Sequence, residues 1–274
     1  MLASVPDHPG SDAMDTPVSR RSLTPVAVLV ALTALLVVAG CASGPRRDLE
    51  RRRGPMHHYR LGVVYFEQGQ VQRALDELDR SIRLDDQIPQ VHYYRGYVLW
   101  SLGRYAEAAD SFRRVIAINP LSLDARLYLA SCLEQLGRTD EALRALDETI
   151  AMPGIQNVEQ ARVNKALILS RQGRIDEALR ELRRAVTGRP RYHRAHWEMA
   201  RLLEQAGRLE EALAALDAAA EGYEDDAGYH LLRGRVLLRL SRPTQAAAEF
   251  RRVLDLAPGT EAAERARELL KVIG

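Results

Sequence analysis

Cysteine is scarce, and two thiols in 274 residues exclude a disulfide framework. Charge of one sign is missing as well. The 39 lysines and arginines nearly cancel 37 aspartates and glutamates, and a net charge of +2 lacks the basic excess expected of a dedicated nucleic-acid binder. Catalytic signatures are absent: there is no Gly-x-Ser-x-Gly elbow, no His-Glu-x-x-His, no phosphate-cradling Gly-rich loop and no Cys pair at metal spacing. No catalytic residue, metal site or cofactor is therefore expected, and the chain reads as a non-enzyme.

Long hydrophobic runs are lacking too. The longest, Val26 to Ala39, holds 14 residues that are apolar except for Thr33. As a helix it would reach about 21 Å, short of the roughly 30 Å hydrocarbon core of a bilayer. Preceded by Arg20 and Arg21 and followed by Gly40 and Cys41, it reads as an export signal, for which residues 1–13 are not needed, so that Met14 is an alternative start. The Val38-Ala39-Gly40-Cys41 stretch resembles the bacterial lipobox. That resemblance implies cleavage before Cys41, lipidation of its thiol and, with Ala42 rather than Asp in the next position, anchoring in the outer membrane with the remaining chain facing the periplasm. Acyl chains contribute about 0.8 kcal/mol per buried CH₂, so several of them hold stably. The Arg-rich segment up to residue 54 reads as a polar tether.

What the chain does have is a ladder. Ala74, Ala108, Ala142, Ala178, Ala212 and Ala246 are separated by 34, 34, 36, 34 and 34 residues. Five residues before each stands a turn residue: Gly69, Gly103, Gly137, Gly173, Gly207 and finally Ser241. A period of 34 with a mid-repeat Gly reads as helix A, a tight turn and helix B, a unit that cannot bury its apolar face without a stacked neighbour. The Gly ends helix A with a positive φ, and the alanine lets helices A and B cross closely. Leu78, Phe112, Leu146, Leu182, Leu216 and Phe250 lie four residues further on, on the same helix face. Pro120, Pro190 and Pro258 stop helix B.

Gly96, Leu99, Ala108, Phe112 and Pro120 together resemble the tetratricopeptide-repeat pattern. The resemblance implies an all-α, right-handed α-solenoid of six helical hairpins (55–88, 89–122, 123–158, 159–192, 193–226, 227–260) with a capping helix at 261–273. Two extra residues enter within Ala151 to Val158, and the resulting 36-residue step is expected to divide the array into two halves of three repeats. His58 and His92 occupy equivalent repeat positions, which points to equivalent packing rather than to a metal; His193 and His196 have no acidic or Cys partner in register. Cys132 reads as a small buried hydrophobe.

In such arrays the A helices line a concave groove, which residues 5, 9 and 12 of each repeat face. Repeats 1 and 2 place Tyr59, Val63, Phe66, Tyr93, Tyr97 and Trp100 there, a candidate partner-binding surface. Repeats 5 and 6 place Trp197, Arg201, Glu204, Leu231, Arg235 and Leu238, a mixed and partly charged surface. The Lys and Asn that clamp a C-terminal carboxylate in chaperone-binding repeats are missing from repeats 1 and 2. Lipobox, outer-membrane signal and six repeats in one chain together resemble the type IV pilus pilotin family (PilF, PilW, Tgl). That resemblance implies an assembly factor for the outer-membrane secretin, with the secretin subunit as partner. The alternative is a general periplasmic adaptor that recruits an envelope protease or a cell-wall enzyme.

Overall fold

The computed structural model of the chain describes residues 54–274. The export signal, Cys41 and all but the last residue of the tether lie outside the described residues. The described residues form thirteen α-helices and no strand: α1 (Gly54–Glu67), α2 (Val71–Leu84), α3 (Pro89–Ser101), α4 (Tyr105–Ile118), α5 (Leu123–Gln135), α6 (Thr139–Ala151), α7 (Glu159–Arg171), α8 (Ile175–Gly188), α9 (His193–Gln205), α10 (Leu209–Ala219), α11 (Ala227–Arg239), α12 (Pro243–Leu256) and α13 (Glu261–Ile273). Odd-numbered helices from α1 to α11 are the A helices, even-numbered ones the B helices, and α13 packs on the last hairpin. The all-α solenoid expected from the 34-residue period is present.

Each A helix ends by the same device. Gly69, Gly103, Gly137, Gly173 and Gly207 have φ between +73° and +75°. The next amide donates to the carbonyl five residues back, as in Arg104 N–H to Leu99 O at 2.9 Å and Arg138 N–H to Leu133 O at 2.8 Å. This satisfies carbonyls that the helix end would leave orphaned. Ser241 does the same at φ +57°, a left-handed conformation that is strained for a residue with a Cβ. At the closing prolines, Asn119, Arg189 and Ala257 leave the helical region (φ −126°, −138° and −138°), because the proline ring forbids helix in the residue before it.

The ladder alanines are all fully buried, and so are the six large residues that follow them. Each large side chain faces the small residue sixteen positions earlier on its own A helix. Phenylalanine meets glycine and leucine mostly meets alanine: Gly96 with Phe112 and Gly234 with Phe250, but Ala130 with Leu146, Ala166 with Leu182 and Ala200 with Leu216. A Cβ on Gly96 would stand 2.9 Å from Cε1 and Cζ of Phe112, inside van der Waals contact with a rigid ring.

Position 4 of the repeat ties the loops. His92 Nε2 donates to the Asp86 carbonyl at 2.9 Å, His196 Nε2 to the Pro190 carbonyl at 2.8 Å and His230 Nε2 to the Glu224 carbonyl at 2.8 Å; Arg126 Nε does the same to Pro120 at 2.9 Å. A carbonyl only accepts, so these imidazoles carry their proton on Nε2. Burial holds His92 below the ordinary imidazole range, ahead of the opposing pull of its bond to Asp86. His58, at the same position, differs from His92: its Nδ1 meets the Glu77 carboxylate on its own B helix at 2.7 Å, so the two equivalent histidines are not used alike.

The expected division at the 36-residue step does not occur. The inserted loop turns through Gly154 (φ +90°) and Asn157 (φ +57°), both suited to left-handed backbone, and returns α7 to register. One core cluster runs unbroken from Ala130 in repeat 3 to Val236 in repeat 6. Lys165 bridges the junction at 2.6 Å from Asp147. Extra residues in a loop change the loop and leave the packed faces in place.

Gly96→Ala is expected to destabilise the protein by about 1–3 kcal/mol through overpacking against Phe112. Adding Phe112→Leu, which recreates the Ala–Leu pairing of repeats 3 to 5, should recover at least half of that loss. Urea unfolding of both variants measures the coupling; equal or additive losses would show that the two residues do not interlock.

Candidate functional site

Successive A helices touch one another, α5 with α7, α7 with α9 and α9 with α11, while no comparable contact joins successive B helices. The A side is therefore the inner side of the curve, and its exposed residues form the candidate binding surface. No helix among the described residues is long and apolar enough to cross a membrane.

At the N-terminal end this surface is aromatic. Tyr59, Val63, Phe66, Tyr93, Tyr97 and Trp100 are all half-buried. The rings do not stand separately. Tyr59 and Phe66 of α1 meet Tyr94 of α3 edge to face at 5.9 and 6.0 Å between centroids, and Phe66 also meets Tyr97 at 5.9 Å. Tyr93, Tyr97 and Trp100 in turn converge on Tyr128 of α5 at 5.8, 6.1 and 5.5 Å. Beneath them Tyr128 stacks on the buried Phe112 at 5.0 Å, and Trp100 Nε1 donates to Ser131 Oγ at 3.2 Å. Each such ring pair contributes about 0.5–1.5 kcal/mol beyond area burial. The result is a continuous aromatic strip over α1, α3 and α5, rigid and half open to solvent.

Two members of the strip, Tyr94 and Tyr128, are missing from the set expected at positions 5, 9 and 12. Both occupy position 6, one residue beyond the set, where the side chain leans back across the preceding A helix. The available signal was a tyrosine at position 6 in the two repeats that follow an A helix bearing rings at positions 9 or 12. Val63 lies on α1 between Tyr59 and Phe66 at helical spacing, half-buried like them. Desolvation raises the phenols of Tyr93, Tyr94 and Tyr128, and Tyr93, beside Tyr128, is pushed up to about 12. Cys132, under the strip, is buried and its thiol is pushed up to about 11, so it carries no reactive thiolate.

The C-terminal end differs. A depression of about 720 Å³ crosses α7, α9 and α11 and is lined by Trp197, Arg201, Glu204, Leu231 and Arg235 together with Arg171. Five of the six residues expected at the groove positions of repeats 5 and 6 thus share one hollow. Its charges are layered. Glu134, Glu198 and Glu204 are 12–16 % exposed and hold arginines that are 41–58 % exposed: Arg171 on Glu134 at 2.6 Å, Arg201 on Glu198 at 2.8 Å, and Arg235 and Arg239 on Glu204 at 2.9 and 3.2 Å. The carboxylates lie below and the guanidiniums face out. Beside them Trp197 stacks on Tyr223 at 5.2 Å. No group of three or more potential metal ligands occurs among the described residues.

Comparison with known proteins agrees with this architecture. A tetratricopeptide-repeat family model matches residues 47–90 and 59–122, and a second model of the same description matches 99–152 and 169–236. No curated protein sequence matches the chain. Among solved structures, the chain is similar to PilW, described as a widely conserved type IV pilus biogenesis factor, with a TM-score of 0.66 and 21% identity over 78% of this chain and 98% of that one. It is similar to Pseudomonas aeruginosa PilF with a TM-score of 0.63 and 18% identity, over 80% of this chain and 98% of that one. Yeast Tom70 gives a comparable TM-score of 0.65 at 16% identity, but only 47% of its length is covered. At such identities the likeness is one of fold.

Tyrosines held neutral by desolvation bind more protons in the folded than in the unfolded chain between pH 10 and 12, so stability must fall as pH rises through 10. Replacing Tyr93 by Phe is expected to flatten that fall, as read from melting temperature between pH 9 and 11.5. An unchanged slope would show that Tyr93 is solvated.

Proposed function

We propose, from the premise that the chain belongs to the tetratricopeptide-repeat family, that it is a non-enzymatic protein-binding scaffold which acts as a pilotin. In this reading it is a lipoprotein held in the outer membrane through Cys41, with its repeats in the periplasm, and it promotes multimerisation and outer-membrane placement of the type IV pilus secretin. The observation that carries the reading is the aromatic strip over α1, α3 and α5. Half-buried rings, already ordered by one another, lose little further freedom on binding and offer the kind of anchor that dominates interface energies. An amphipathic segment of the secretin subunit, apolar on one side, fits such a strip.

Two further points support it. PilW and PilF are both covered over 98% of their length, so this chain and those pilus proteins share the whole repeat array, whereas Tom70 shares less than half of its own. Only about 13 residues separate Cys41 from α1, so an anchor at Cys41 would enter the array at its aromatic end. Thirteen residues span at most about 45 Å even when fully extended.

Two experiments test the proposal. Cys41→Ser removes the only atom that can form the thioether, and the protein is expected to leave the outer-membrane fraction; unchanged fractionation would exclude lipid anchoring at Cys41. In cells lacking the protein, SDS-resistant secretin multimers are expected to fall at least tenfold. They should return with the natural chain but not with Tyr97→Ala plus Trp100→Ala, provided that circular dichroism of this variant stays helical. Normal multimers in the deletion strain would overturn the pilotin reading and leave the general adaptor.

A further inference from the structure

We infer that the hollow over α7, α9 and α11 is a second docking surface, distinct from the aromatic strip, and that its occupant is an extended acidic segment of a protein with interspersed apolar side chains. The inference rests on this hollow alone and stands whether or not the partner at the aromatic end is a secretin.

Charge complementarity selects the occupant. The hollow is lined by three arginines, Arg171, Arg201 and Arg235, each 41–58 % exposed over a carboxylate that is mostly covered, so an approaching ligand meets cationic heads first. Each guanidinium is held on one side by its glutamate and keeps N–H donors on the other, ready for a second carboxylate in the planar, bidentate mode that suits Arg. The braces recur: Glu134 to Arg171 and Glu204 to Arg239 each join position 12 of one repeat to position 13 of the next. Each arginine is thereby braced by a carboxylate before any ligand arrives, which lowers the ordering cost of binding. Arg194, exposed on α9 and lining the adjoining hollow with Glu134 and Arg171, has no ion-pair partner among the described residues and adds an unneutralised charge.

Apolar groups between these heads favour a peptide over a bare anion. Trp197 stands half-buried beside Arg201, and Leu231 lies in the floor. Three helices packed at 8–10 Å between axes present about 16–20 Å of groove, the length of five or six extended residues. An alternation of carboxylate and aliphatic side chains would place one set on the arginines and the other on Trp197 and Leu231. A lipid surface, being flat, reaches a concave hollow of this kind poorly.

The test uses the full chain with Trp100→Phe, so that Trp197 is the sole indole, and two dodecapeptides identical except that one carries Glu and the other Lys between leucines. The Glu peptide is expected to change Trp197 emission and to bind at least tenfold more tightly than the Lys peptide, with an affinity that falls on raising salt from 50 to 300 mM. Arg201→Glu with Arg235→Glu should weaken it at least tenfold. Since those changes break existing ion pairs, Arg194→Glu, which breaks none, provides the second variant and should weaken binding at least threefold with an unchanged melting temperature. Equal affinity for both peptides, or indifference to Arg194→Glu in a folded protein, would overturn the inference. So would arginine-dependent binding to phosphatidylglycerol vesicles in preference to the Glu peptide.

Discussion

Everything in this array depends on one contact made six times: a large side chain on helix B pressed against a small residue on helix A, four residues after an alanine that allows the crossing. The contact fixes helix separation, and its pairing of Phe with Gly and mostly Leu with Ala keeps the combined volume within narrow limits. Close-packed interiors tolerate neither a missing nor an added methylene at such a point without cost. With the hairpins stacked, successive A helices touch one another while no comparable contact joins successive B helices. The concave face is therefore a consequence of the interlock.

Polar contacts refine what the interlock permits. At position 7, Arg95, Lys165 and Arg233 each bridge the preceding B helix, to Asp79 at 2.7 Å, Asp147 at 2.6 Å and Asp217 at 2.9 Å. Repeats 3 and 5 carry Leu129 and Met199 there instead. Position 7 thus alternates between a cation and an apolar side chain from repeat 2 to repeat 6. A partly buried cation that spans two carboxylates, as Lys165 spans Asp147 and Glu181, tolerates neither slippage nor loss of a partner, so it fixes register more than it adds stability. Of the groove positions, Glu134, Glu204 and Arg235 also take part in ion pairs between repeats, whereas the aromatic residues at the N-terminal end carry no charge.

The hairpin array was legible in the sequence because packing demands the same residue at the same place each time: six buried alanines, five glycines at φ near +74°, three prolines that end helices. Ser241 was legible as a departure and adopts the left-handed turn despite its side chain. Three features were not legible. The 36-residue step looked like a division of the array into two halves, but a loop can absorb two residues through Gly154 and Asn157 without disturbing the faces it connects. Tyr94 and Tyr128 escaped because helical register alone assigns a side chain to a face, whereas a long ring at position 6 leans over the neighbouring helix. The layering of arginine above glutamate in the C-terminal hollow likewise depends on side-chain depth, which spacing does not encode. Cys41 and its anchor lie outside the described residues and stand on the sequence alone.

The two ends of the concave face offer different chemistries on one scaffold, aromatic over α1 to α5 and arginine-lined over α7 to α11. In the proposed function the aromatic strip is the surface that takes the secretin subunit. Hydrogen–deuterium exchange of the full chain with and without that subunit tests this most directly. Slowed exchange confined mainly to peptides from α1, α3 and α5 is the result the account predicts. Slowed exchange confined to the B helices, or no change anywhere at saturating subunit, would contradict it.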